Sequence, residues 1–401
     1  MTAVCGVQSG DRGPLRSPGQ YIGGVAWVAA AAFILDAFAL AALIAAFAWQ
    51  VRTLRGLHAP PHVQDVRPRS LQPLSVVLLL EDPDLPAEPS VASVLSQDYP
   101  ALELIVIDDR PGRASSSSRK LAPDSRMKVF SSPSPAKGWA RRPHSFFLGY
   151  RNTQHPWVLF IDDSVVFKEG SLRRLMGATW QQQSDLLTIV PALTATGRWE
   201  RLFMPFVAQL ALLVFPTRAN GKSGSWVASS YGPLLLFRRS AYEAIGGHAS
   251  VRGEPLDDIA LTRSIQRRGY RALFLRGYDL AVVQSISSFA RMWQAWTTSF
   301  NSVVSGSLLR ALGGATLLFV VFAAPWLMLF PAILLLSSPI SASPWTGVLI
   351  AGAAHIAMSL TWRTLLKDNL GIDRSLALLQ PIAAVTAAAI LVASHLGSGR
   401  S

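Results

Sequence analysis

Apolar residues fall into two kinds of run along this chain: long unbroken stretches near both ends, and short ones bounded by acids between them. From about Val25 to Trp49 the chain stays apolar for long enough to cross a bilayer. Three further such stretches lie near 312–336, 345–362 and 375–396. In between, Leu74–Leu80, Leu102–Ile107, Lys128–Ser131 and Trp157–Ile161 read as strands. Two of these end in paired acids, Asp108-Asp109 and Asp162-Asp163. Helices are predicted over Pro89–Gln97, near Ser145–Arg151, and from Asp257 to about Arg268, where Gly269 caps the last turn. Strand, helix, strand with acids at the carboxyl ends is the start of a doubly wound α/β sheet, whose ligands bind in the crevice beyond those ends.

The remaining segments place this sheet beside a membrane. Arg52, Arg55, Arg67 and Arg69 follow the first span and only Arg12 and Arg16 precede it, which puts the following domain in the cytoplasm. The loop at 338–344 carries no charge, whereas 363–374 holds Arg363, Lys367 and Arg374, and that alternation agrees with the same orientation. A cleaved leader fits less well, because its apolar region would be shorter and follow a basic segment. Asp36 lies within the first span, where it either faces another helix or marks a polar contact. Trp199–Phe215 and Ser287–Val304 carry aromatic residues at helical spacing and read as interfacial helices; for the first, a buried core helix is the alternative. The division expected is a disordered 1–20, a transmembrane helix at 21–50, a linker at 51–72, and a cytoplasmic domain at 73–285. An interfacial helix at 286–308 and about three membrane helices in 309–401 complete it.

Composition narrows the partners. Half of the 401 residues are hydrophobic and only 15% are charged, and the mean hydropathy is +0.31. The net charge of +13 is scattered, with no basic run interleaved with aromatics, so an anionic membrane surface or anionic substrate explains it better than nucleic acid. A lone Cys5 excludes an internal disulfide, and the seven histidines form no ligand-spaced cluster for zinc. Two carboxylates at a strand end are costly without a cation beside them. A divalent metal carrying a nucleotide diphosphate meets that need at Asp162 and Asp163, a solvated acidic turn being the plain alternative. Asp257 and Asp258 at a helix start are in part dipole compensation, which accounts for one acid more comfortably than for two.

The order of elements resembles family 2 glycosyltransferases of the membrane-bound inverting kind, over roughly residues 70–305 and the flanking spans. The closest likeness is to hopene-associated and carotenoid or ceramide-type enzymes. PLSVVLLL is similar to the family's first strand, and SQDYPALELIVIDD to its second with the nucleotide-binding acids. Lys137-Gly138-Trp139 resembles a loop after the third strand. FRRSAYEAIGG and LDDIALTRSIQRRG match the acceptor side over many consecutive positions.

The resemblance implies a GT-A, Rossmann-like α/β domain with flanking transmembrane helices. It implies transfer of a sugar from a nucleotide-sugar, most simply a UDP-sugar, to a lipid hydroxyl at the inner membrane, with magnesium or manganese at the diphosphate. By position, Asp108 and Asp109 contact the nucleotide, Asp162 lies at the metal and diphosphate, and Arg142 stands where relatives often have a lysine near the phosphates. Asp258 is the implied general base, supported by Asp257. Four departures stand against this. Ser164 occupies the second metal-ligand position, Glu81-Asp82-Pro83 replaces an Arg-Asn-Glu run, and Arg110-Pro111-Gly112 replaces Ser-Thr-Asp. No Gln-x-x-Arg-aromatic run appears near 298–303. A degenerate fold serving as a membrane scaffold or regulator is therefore the second reading.

Overall fold

The computed structural model describes residues 18–397 except 56, 58, 68, 70, 111–122, 195–196, 215–233, 255, 285–287, 305–306, 337–341, 371 and 373–374. Of the disorder expected over 1–20, residues 1–17 lie outside these described residues, as does most of the loop after Asp109, whereas 18–20 are helical.

The first helix, α1 (Pro18–Arg55), runs past the boundary expected at residue 50. Strand β1 (Leu74–Leu80) is buried along its whole length, as an unbroken apolar run demands. Helix α2 (Glu88–Leu95) leads to β2 (Leu102–Asp108), then β3 (Met127–Ser131), α3 (Arg141–Arg151) and β4 (Trp157–Asp162). Helix α3 starts four residues before the predicted Ser145, because Pro143 sits in its first turn, where a missing N–H costs nothing. The short β5 (Val165–Phe167), α4 (Ser171–Gln182) and β6 (Leu186–Thr194) follow. Then come α5 (Arg198–Val214), β7 (Leu234–Arg238), α6 (Arg239–Ala244), α7 (Asp257–Arg267) and β8 (Ala272–Gln284).

The strands form one eight-stranded mixed sheet in the order β3-β2-β1-β4-β7-β6-β8-β5. The first four are parallel, and β7 enters antiparallel beside β4. In this register Leu80 pairs Asp108 and Leu79 pairs Asp162, so both acid-bearing ends finish on one edge. Strand alternation splits the core: Val76, Leu78 and Leu159 pack under α2 and α4, while Val77, Ile105 and Phe160 pack under α3, α6 and α7.

Helix α8 (Phe289–Val304) returns to the apolar helices α9 (Leu308–Phe322), α10 (Ala324–Leu336), α11 (Ala342–Leu370) and α12 (Gln380–Gly397). Segments Trp27–Arg55, Trp345–Asp368 and Ala377–His395 are long and apolar enough to cross a membrane. The stretch read as one span over 312–336 is two helices that together are apolar enough to cross, bent by 44° where they meet. Pro325 lies just beyond the break, where it removes a helical N–H and crowds the carbonyl four residues back. Helices α1 and α11 lie parallel: Phe33 packs at Gly347, and the Phe47 ring lies 5.9 Å from Trp362. Asp36 is turned inward and buried.

Helix α5 is a buried helix and not an exposed interfacial one. Its Phe203, Phe206 and Leu212 share a core with Leu43 of α1, Trp362 of α11 and Ala387 of α12. Val190 of β6 and Phe274 of β8 join the same cluster, which seats the sheet on the apolar helices.

Helix α3 lies tight on the sheet at Gly149, where a Cβ would come within 2.3 Å of Val77 Cγ1 and 3.1 Å of Ile107 Cγ1. Valine has little rotamer freedom to yield. Gly149→Ala is expected to destabilise the protein by about 1–3 kcal/mol despite alanine's better helix propensity. A lowered denaturation midpoint of the detergent-purified protein checks this; a raised one would show that the sheet gives way.

Candidate active site

The carboxyl ends of β1, β2 and β4 meet the first turns of α3 and α7 at a single crevice. Helix dipoles disfavour cations at helix starts, yet α3 opens with Arg141 and Arg142. The facing strand-end acids outweigh that cost. Arg142 pairs with Glu81 beyond β1, with Asp162 Oδ2 at 3.4 Å, and with Asp257 Oδ1 at 3.5 Å. Its guanidinium also stacks over Phe146, 4.9 Å from the ring centre. One side chain thus gathers carboxylates from three elements.

The two acids of β2's end part company. Asp108 is fully buried and accepts three bonds from Arg110, from Nε at 2.9 Å, Nη2 at 2.8 Å and the backbone N–H at 3.3 Å. Asp109 accepts from Arg141 Nε at 2.8 Å, and its own N–H donates to the Leu80 carbonyl at 2.9 Å. The acids after β4 diverge as well. Asp162 Oδ1 accepts from the Ser164 N–H at 3.1 Å and from the Ser164 hydroxyl. Asp163 turns away and accepts the N–H groups of Glu81 and Asp82 at 3.0 Å each. The expectation that Asp162 and Asp163 chelate a metal together therefore does not match the geometry, because their carboxylates serve different partners. Among the described residues no three His, Cys, Asp or Glu side chains form a metal-binding group.

On α7, Asp257 and Asp258 are both nearly buried. Asp257 Oδ2 lies 3.3 Å from His248 Nε2, off the hydrogen-bond axis. His248 is fully buried against Phe160 and Phe146, and its Nδ1 lies 2.7 Å from the Tyr242 hydroxyl. Burial alone would raise the Asp257 carboxyl; His248 and then Arg142 outweigh it and hold it below the usual range. Burial outweighs the pull of Asp257 and holds His248 below its own usual range. Asp258 adds to the field at Arg142.

The structure thus brings Asp109, Arg142, Asp162, Asp257 and Asp258 to one place, and gives Asp108 and Asp163 supporting positions behind it. Arg141 and His248 join the site without having been singled out in the sequence, and Glu81, noted there only as a departure from the family pattern, joins it too. The signal for Arg141 was its place beside Arg142 opposite Asp109; His248 had only its nearness to Asp257. A cavity of about 1060 Å³ lined by Trp157, Arg238 and Glu243 opens at the opposite end of β4 and holds none of these groups.

The family described as "Glycosyltransferase like family 2" matches residues 88–295, just over half of the chain. The chain belongs to this family. Its sheet and flanking helices are the GT-A type of α/β fold, and a mannosyltransferase from Pyrobaculum calidifontis, solved with GDP-mannose and Mn2+, shares that fold. The two are 17% identical with a TM-score of 0.52, over 92% of this chain and 99% of the other. TarS residues 1–349 from S. aureus, solved with UDP-GlcNAc, match at 12% identity and a TM-score of 0.41, over 82% of this chain and 92% of that one. No curated protein matches. The hopene-associated, carotenoid or ceramide-type subgroup stays an expectation beside the family itself.

Burial, and then the charge of Asp162, push the Asp163 carboxyl up to about 8. A carboxyl raised in the fold stabilises most when protonated, so its contribution is complete below the ordinary value of 3.8 and is lost as pH climbs towards about 8. Asp163→Asn keeps an oxygen for the two N–H groups and removes the charge. It is expected to flatten the fall in stability across that window, read as denaturation midpoint against pH. An unchanged slope would show that Asp163 does not titrate with folding.

Proposed function

We propose that this family member is a membrane-bound inverting glycosyltransferase that moves a sugar from a nucleotide-sugar to the hydroxyl of a lipid. The observation that carries this reading is the reach of Arg142 to Glu81, Asp162 and Asp257 at once. It sets the strand-end acids, on the donor side, against the Asp257–Asp258 pair on the acceptor side. The GDP-mannose bound by the Pyrobaculum calidifontis mannosyltransferase supports nucleotide-sugars as the donor class; UDP-sugars are the first to try.

In the proposed reaction the lipid hydroxyl attacks the anomeric carbon from the face opposite the diphosphate. The bond from that carbon to the diphosphate oxygen breaks, and configuration inverts. A hydroxyl is a weak nucleophile, so Asp258 takes its proton as the new bond forms. Asp257, held ionised by His248 and Arg142, fixes the start of α7 and so the place of Asp258. Asp109, with Arg141, borders the nucleotide.

The membrane side supports a lipid acceptor. Residues 73–285 form the proposed cytoplasmic domain, and α8 within 286–308 lies along its base. Phe289 of α8 packs 4.7 Å from Trp199, and Trp296 lies 6.1 Å from Phe203. Outward-facing Trp27, Ile34, Leu309, Phe330 and Ile350 suit lipid contact. Parallel α1 and α11 accord with both running toward the cytoplasm, the orientation that the flanking arginines favour. The second reading, an inert scaffold, draws on Asp108, whose carboxylate is closed off by Arg110.

Membranes carrying the protein, incubated with radiolabelled GDP- and UDP-sugars, are expected to transfer label into the organic extract. Asp258→Asn is expected to lower that transfer at least a hundredfold, in line with loss of a general base, while nucleotide affinity stays near the parent value. Transfer that survives Asp258→Asn removes Asp258 as base. Nucleotide binding without transfer to any lipid extract would favour the scaffold.

A further inference from the structure

The metal-ligand geometry expected at the end of β4 is taken up by the chain itself. Ser164, in the second ligand position, gives its hydroxyl to Asp162 Oδ1. Asp163 gives Oδ2 to two backbone N–H groups. Asp162 Oδ2 faces Arg142. A hard divalent cation needs several oxygens converging at about 2.0–2.6 Å. Here a guanidinium stands where such oxygens would converge, within 3.5 Å of Asp162 and Asp257 and paired to Glu81. Its neighbour Arg141 holds Asp109 with 53% of its side chain still exposed to the crevice mouth.

We propose that Arg142 and Arg141, and not a divalent metal, meet the charge of the donor diphosphate, so that nucleotide binding by this chain is independent of metal ions. The proposal rests on the nucleotide-sugar reading above. Guanidinium is always charged and presents a planar fork that suits phosphate oxygens two at a time. The carboxylates of Asp162 and Asp257 hold the Arg142 plane in place before the donor arrives. Glu81 is the outermost partner, with 40% of its side chain exposed, and is the one a phosphate oxygen displaces most readily. Arg141 turns from Asp109 to the second phosphate without leaving the first turn of α3. When the glycosidic bond breaks, the leaving diphosphate keeps the electron pair, and both fixed guanidinium charges are already beside it.

Calorimetric titration of the full-length, detergent-purified protein with GDP and UDP, in excess EDTA and in manganese, tests this. The expected result is the same Kd in both media, within about threefold, and a loss of tenfold or more in Arg142→Met, as for removal of a charge-assisted bond. Should that variant fail to fold, Arg142→Lys keeps the charge without the fork and is expected to lose several-fold. Binding by the parent chain that disappears in EDTA and returns with manganese overturns the proposal and leaves the transferase reading standing. Full affinity in Arg142→Met overturns it too. Failure of every nucleoside diphosphate to bind in either medium overturns both.

Discussion

A single cation held among carboxylates of different elements is the constraint on which the rest of the site depends. Glu81, Asp162 and Asp257 belong to a loop, a strand and a helix, and without Arg142 their mutual repulsion would push α7 away from β4. Removing one partner of such a half-buried group costs far more than the pair contributes over an apolar replacement. The arrangement therefore specifies position more than it adds stability. Phe146 supports the guanidinium from below, and His248 braces Asp257 from the side away from the crevice. Both lie over Phe160, so the polar cluster rests on the apolar face of β4.

The same logic extends to the apolar helices. Arg291 near the start of α8 pairs with Asp82 at 3.2 Å, and Asp82 lends its N–H to Asp163. The loop after β1 is thus tied to α8 on one side and to the end of β4 on the other. Beneath it, Val190 and Phe274 of the sheet share a core with α5 and the apolar helices. A hydrophobic seat and an ionic tie act together, which lets α8 set the position of the loop after β1.

The strands carrying the acids were legible because a continuous apolar run closed by carboxylates has few other meanings. Asp257 and Asp258 at the start of a helix closed by Gly269 were equally readable, since capping and charge follow local rules. Strands β6 and β8 have no such signature. Pro191 sits at a register shift in β6, and Arg276, Gly277 and Asp279 interrupt β8, so neither shows a clean period of two. The partners of Asp163 escaped notice for a different reason. A side chain that bonds backbone N–H groups 81 and 82 residues away leaves no mark on either segment. The bend within the span expected over 312–336 left no mark, because hydropathy measures composition and is blind to the kink beside Pro325.

Two of the four departures from the family pattern, after β1 and after β4, form one connected set. Glu81 pairs with Arg142, Asp82 with Arg291, the N–H groups of both with Asp163, and Ser164 with Asp162. Decay of a site, one residue at a time, leaves buried polar atoms without partners, and each such atom costs stability. Orphaned polar atoms do occur in this chain, at Asp36, His355 and Gln266 among others, and within the site at His248 Nε2. None of the five substituted or supporting carboxylate and hydroxyl groups at Glu81, Asp82, Asp162, Asp163 and Ser164 is among them. A replaced loop whose new side chains each find a charged or hydrogen-bonding counterpart is a site reorganised around Arg142. That outcome fits a transferase with altered donor contacts better than one that has lost its chemistry.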